Sequence, residues 1–181
     1  MRPPPDGPAF VPHAGGGPFN TAIALGRLET PVGYLGRLST DGFGRLLRQG
    51  LVDNHVDLRL AVDTAAPTTL ALVTLSDAGE ASYSFYTEGT AGCGLGREQL
   101  PDRLPDDVEA IHLGSLGIVL EPGASGLEAL VERERGRRLV SLDPNVRPAI
   151  IPEALAFAGR VAAVTCGRAG ADPPHLAELA P

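Results

Sequence analysis

Hydrophobic residues in this chain change period twice along its length. Residues 20–28 place Ala22, Ile23, Leu25 and Leu28 on one side of a helix that Pro31 ends, and residues 32–38 read as a buried strand. Residues 43–52 read as a second helix with Leu46, Leu47 and Leu51 inward. Between residues 56 and 86 the period becomes two, through VDLRLAV, TTLALVTL and ASYSFY, with a turn at residues 77–80. Helix and strand patterns then alternate again: a strand at 110–114, a helix at 125–135 and a strand at 138–143. Such alternation predicts a parallel α/β sheet carrying a β-rich insert.

A chain of 181 residues is long enough to bury one real core, and its 23 glycines and 17 prolines fit a folded protein with many turns. Net charge is −7 and no basic run exceeds Arg137-Arg138, which argues against a nucleic-acid partner. All fifteen basic residues are arginine, so P-loop, Schiff-base and protein-kinase lysines are excluded together. The longest apolar runs are strand-sized, so no membrane span is expected. Residues 1–12 are Pro-rich without the apolar stretch of a signal peptide, and Cys93 and Cys166 lie far apart, which points to a cytoplasmic protein.

The segment most suggestive of chemistry is Gly15-Gly16-Gly17-Pro18-Phe19-Asn20, a turn without bulky side chains that delivers one amide to a helix start. Bare backbone lets a small polar ligand approach closely, and an amide both donates and accepts, as sugar hydroxyls do. The alternative is an N-cap asparagine behind a flexible loop. Asp143-Pro144-Asn145-Val146-Arg147-Pro148 follows a strand, and ligands of open α/β sheets gather just outside strand carboxyl ends. Arg147 is there a candidate for an anionic contact, or else part of a Pro-bounded turn paired to a surface carboxylate.

The glycine turn resembles the first signature of the ribokinase/pfkB carbohydrate kinases, whose Gly-Gly pair and following Asn touch the sugar; Gly15, Gly16 and Asn20 stand at those positions. The likeness continues through Leu25-Gly26-Arg27-Leu28, Val32-Gly33-Tyr34-Leu35-Gly36-Arg37 and Ser39-Thr40-Asp41-Gly42-Phe43-Gly44, similar to the family's strand and its G-x-D-x-x-G turn. Glu29 and Ser39 stand where glycine is common, and Glu29, in a helix-ending turn, is expected to carry backbone strain. Residues 68–86 resemble the β-lid that members fold over the sugar, and SFYTEGTAG is similar to the fructokinase-like branch. That resemblance makes Phe85 and Tyr86 candidate sugar contacts; ordinary cross-strand packing is the alternative. D-P-N-x-R-P is similar to fructokinases and 2-keto-3-deoxygluconate kinases, which adds Asn145 and Arg147 to the implied substrate site.

The resemblance implies a three-layer ribokinase-like α/β sandwich with a β-lid, formed by about residues 9–14 and 56–87 of a single incomplete domain, 1–181. It implies a sugar kinase that moves the ATP γ-phosphate to a sugar hydroxyl with magnesium, fructokinase first and 2-keto-3-deoxygluconate kinase second. A non-catalytic sugar-binding remnant or the product of a broken gene are the other readings, and a homodimer through the lid is a further expectation. The family's first-strand G-E-x-x-x-D and its late D-T-x-G-A-G-D, which holds the catalytic aspartate, do not occur in these residues. The fold is accordingly expected to be truncated at both ends, without the ATP-binding part and inactive alone.

Other chemistries find no support. Leu113-Gly114-Ser115-Leu116-Gly117 misses a nucleophile elbow, which leaves Ser115 an ordinary turn serine. A nucleotide-binding GxGxxG would need glycine at Asn20. His13, His55, His112, His175 and the two cysteines show no metal-ligand spacing, and Asp106-Asp107 reads as a solvated turn pair.

Overall fold

Helix α1, Gly17–Arg27, begins three residues earlier than the apolar spacing predicts, because the turn before it is itself helix-ready. Gly16 caps it at φ 130°, a conformation glycine adopts without steric cost, and Pro18 sits in the first turn, where its fixed φ suits a helix and its missing N–H is not needed. In this computed structural model residues 10–75 and 81–144 are described. The predicted turn at 77–80, Asn145, Arg147, His175 and Cys166 lie outside them.

After α1 come β1 (Gly36–Ser39), α2 (Gly42–Asp53), β2 (Ala61–Thr64), β3 (Leu70–Leu75), β4 (Ala81–Tyr86), β5 (Ala110–Gly114), α3 (Gly123–Glu134) and β6 (Leu139–Asp143). Strands β1 and β2 pair in parallel, Gly36 opposite Ala61 through Ser39 opposite Thr64. A bridge between Gly33 and Asp57 continues that alignment, so the strand predicted over 32–38 forms a ladder only at its end. Strands β3 and β4 form an antiparallel hairpin, Leu70 opposite Tyr86, and β5 neighbours β6. Residues 61–64, within the predicted insert, therefore pair with the body strand β1, while β3 and β4 pair with each other. Phe10 and Val11 are exposed and belong to no strand.

The core of the first half joins Phe19 and Ala22 of α1, Leu38 of β1, Leu51 of α2 and Val56, with Leu47 and Ile23 packed against it. Leu38 and Leu51 are fully buried, each contributing about 1.5–3 kcal/mol against exposure. Leu46, predicted to face inward, is 42% exposed. The buried stripe of α2 runs through Gly44, Leu47 and Leu51, spaced three and four apart, which leaves Leu46 on its edge. In the second half Leu95, Leu104, Leu113 and Leu130 are buried.

Glu29 carries the strain expected of it, with φ 57°. A side chain with a Cβ is disfavoured in this left-handed region by roughly 1 kcal/mol, and a glycine loses part of that gain through its freer unfolded chain. Glu29→Gly should raise stability by about 0.5–1 kcal/mol, seen as a melting temperature higher by about 1–3 °C.

Candidate functional site

Asn20 is not the N-cap of α1: Gly16 is, and the backbone N–H of Asn20 donates to the Gly16 carbonyl at 2.8 Å, one turn into the helix. Its side chain is therefore not needed for capping. The amide is exposed and has no hydrogen-bond partner among the described residues, and its Oδ1 lies 3.9 Å from where a Gly15 Cβ would be. Gly15, Gly16 and Asn20 thus form one exposed patch in which bare backbone and an uncommitted amide stand side by side.

Phe85 and Tyr86 are adjacent on β4, so their side chains leave opposite faces of the hairpin. Phe85 shares its face with Ala71, Val73 and Tyr83, and its ring stacks on Tyr83 with centroids 6.0 Å apart. Tyr86 shares the other face with Leu70 and is 58% exposed. One surface of the hairpin can present only one of the two to a ligand. Val73 and Tyr83 on one face, and Leu70 and Tyr86 on the other, are all exposed.

The hairpin leaves the body through a polar knot that the sequence reading passed over. Asp41 caps α2 by accepting from the Gly44 N–H at 2.7 Å. The same carboxylate accepts from the Thr68 N–H at 2.8 Å and the Thr68 hydroxyl at 2.7 Å, at the residue where the chain enters the hairpin. These bonds hold its carboxyl well below the usual aspartate range, the Thr68 hydroxyl first, with burial acting the other way. Thr69 is within 2.6 Å of the Thr90 hydroxyl and accepts from the Gly92 N–H, which ties the outgoing strand to the returning one. Arg37 of β1 donates to the Gly94 carbonyl at 2.8 Å and to the Thr64 hydroxyl, which ties the return to the body. Burial raises the Cys93 thiol, in part offset by the Thr69 and Thr90 hydroxyls. The signal available for Asp41 was its place in Ser39-Thr40-Asp41-Gly42-Phe43-Gly44, similar to the G-x-D-x-x-G turn, with aspartate a favoured N-cap residue.

Ser115 has φ 60° at the carboxyl end of β5, unlike an ordinary turn serine. Asp106 and Asp107 are exposed, as predicted, and pair with Arg103 and Arg59. His112 faces Ser141 across β5 and β6 at 3.1 Å. A hollow of about 330 Å³ lies elsewhere, between α3, β5 and β6; Leu113, Ile118, Leu127 and Val131 line it together with Glu128, Glu132 and Arg135.

The profile of the pfkB family carbohydrate kinases matches residues 3–149. The chain belongs to the pfkB family of carbohydrate kinases. This pfkB chain is 43% identical over 152 residues to a fructokinase of Rhizobium leguminosarum bv. trifolii, which covers 84% of the chain and 46% of the relative. A crystal structure of fructokinase from Xylella fastidiosa superposes with a TM-score of 0.75 at 31% identity, over 84% of this chain and 51% of that one. Fructokinase from Vibrio cholerae O395 in fructose, ADP and calcium ion bound form matches with a TM-score of 0.65 at 30% identity, over 83% and 49%. The pfkB chain thus has the ribokinase-like α/β fold of fructokinases and spans about half the length of the relatives it matches.

Proposed function

We propose that this chain is the sugar-binding part of a fructokinase-type kinase, and that the Gly15–Gly16 backbone and the Asn20 amide hold the hydroxyls of fructose. The observation that carries the reading is the exposed, uncommitted Asn20 amide set against bare glycine backbone. It is supported by the fructose-bound state of the Vibrio cholerae relative and by the 43% identity to a fructokinase. The β3–β4 hairpin is the lid in this reading and brings either Phe85 or Tyr86 to the sugar. Asn145 and Arg147 are assigned to the side from which phosphate arrives.

The reaction would be transfer of the ATP γ-phosphate to a sugar hydroxyl with magnesium, and the setting a soluble, cytoplasmic one without nucleic-acid or membrane partners. Among the described residues no group of three His, Cys, Asp or Glu side chains comes together, so they do not supply a magnesium site and no step is routed through one. No described helix is long and apolar enough to cross a membrane. The exposed apolar residues on both hairpin faces favour a homodimer through the lid. The D-T-x-G-A-G-D motif does not occur in these 181 residues, so sugar binding is the property this chain can be tested for.

Calorimetric titration with fructose tests the reading. The parent chain should show saturable heat, and Asn20→Ala should weaken affinity about tenfold, the worth of one to two neutral hydrogen bonds. Its melting temperature should not fall, because the amide caps nothing and alanine suits an exposed helix position at least as well. Absence of binding by the parent, or equal affinity in Asn20→Ala, would reject the assignment.

A further inference from the structure

The hairpin carries large apolar residues exposed on both faces, Leu70 and Tyr86 on one and Val73 and Tyr83 on the other, so apolar packing holds its angle only weakly. What fixes it is the polar knot at its root. Thr68, 7% exposed, is held by both oxygens of Asp41, and Thr69 beside it holds the returning strand through Thr90 and Gly92. The Pro67 carbonyl accepts from Ala91 N–H at 2.8 Å, which couples the two roots again. A movement of the outgoing strand is therefore shared by the returning one, and both are referred to the body through one carboxylate.

We propose that Asp41 and Thr68 are a positioning pair that sets the pose of the lid over the sugar, in addition to the capping role of Asp41 on α2. The ligand side of this inference rests on the sugar-binding reading above; the mechanical side does not. The cap and the lid tie are separable, because Gly44 N–H and the Thr68 groups bond the same carboxylate from different segments. Thr68→Val removes the hydroxyl and leaves the cap and the Thr68 N–H bond in place. Thr68→Ser keeps the hydroxyl. Asp41→Asn keeps a capping oxygen but loses one of the two acceptors, and asparagine caps about as well as aspartate.

The bonds are few and polar, so removing one should spread the lid over more open poses rather than unfold it. If the closed pose falls to about one-fifth of the population, the apparent dissociation constant for fructose rises about fivefold. Cap loss or core damage would instead lower the melting temperature without a selective change in the lid.

The experiment uses the full chain with nitroxide labels at Ser84→Cys on β4 and Gln49→Cys on α2, both exposed positions, in a Cys166→Ser background; Cys93 is buried and left in place. Pulsed dipolar distances should broaden toward longer separations in Thr68→Val and Asp41→Asn and return to the parent distribution in Thr68→Ser. Fructose titrations of the unlabelled variants should weaken in the same order. Parent-like distances in both Thr68→Val and Asp41→Asn would overturn the proposal, whatever the sugar affinity. A parent chain that binds no fructose would overturn the sugar reading alone, with the distances still deciding this one.

Discussion

Gly44→Ala should lower stability by about 3 kcal/mol, a large share of the roughly 5–15 kcal/mol that holds a folded domain together. Gly44 faces inward in the first turn of α2, where the helix start crosses the end of β1. A Cβ there would overlap the Ser39 carbonyl oxygen and stand 2.6 Å from its carbon and 2.9 Å from its Cα. All three atoms are backbone, and Ser39 is fixed by its pairing with Thr64, so no side-chain rotation relieves the overlap. The helix start would have to move, taking with it the Asp41 cap, whose loss costs about 1 kcal/mol by itself. Urea unfolding of the two proteins measures the difference directly. An effect below about 1 kcal/mol would mean that this junction is looser than its geometry.

Glu134→Ala should cost about 2–3 kcal/mol at neutral pH, from a residue with no part in the sugar site. Glu134 is 4% exposed at the carboxyl end of α3, where the helix dipole disfavours an acid. It persists there because two arginines answer it: Arg138 Nε at 2.8 Å and Arg133 Nε at 2.7 Å. Those guanidinium groups reach on to the carbonyls of Pro101, Pro105 and Val108, so one carboxylate organises the loop that carries buried Leu104. Removing it leaves Arg138, whose side chain is only 10% exposed, without its counter-charge. The figure is set below that for a deeply buried pair because Arg133, about one-third exposed, keeps the cluster near water.

The pH dependence has a definite sign. Arg138 first, and then Arg133, hold the Glu134 carboxyl below the ordinary glutamate range. Its stabilisation is therefore complete above the unfolded value of about 4.3 and is lost as pH falls through the lower folded value. Asp41 behaves in the same way below about 3.9. Glu134→Gln should be less stable than the parent at pH 7, and the gap should narrow as pH falls from about 4.3 through the lower folded value, beneath which both proteins carry a neutral group there. A gap independent of pH would show that charge is not what Glu134 supplies.

The helices and the strands of the second half were readable because their apolar stripes are long and bounded by glycine or proline. Glu29 was readable as strained because it stands, in a helix-ending turn, where the resembled family commonly has glycine. Leu46 misled because hydrophobic spacing does not register a glycine: the buried face of α2 is centred on Gly44, Leu47 and Leu51, and its first member has no side chain to count. Phe85 and Tyr86 were paired as sugar contacts although a strand sends neighbours to opposite faces. The polar knot was invisible because Asp41, Thr68, Thr69 and Thr90 are ordinary polar residues far apart in sequence, and only the fold brings them within hydrogen-bond distance. Of the candidate site, the glycine turn is legible because it is a local pattern, backbone freedom and an amide within six residues, and the structure leaves that amide exposed and uncommitted.

The central claim is that the glycine turn, and not the hollow beside α3, receives the sugar. Backbone amide NMR shifts of the ¹⁵N-labelled chain, followed during titration with fructose, test it most directly. Saturable changes centred on Gly15, Gly16 and Asn20, with smaller ones at Phe85 or Tyr86, are the predicted result. Changes centred on Leu113, Leu127 and Val131, or no changes at sugar concentrations that saturate the fructokinase relative, would contradict it.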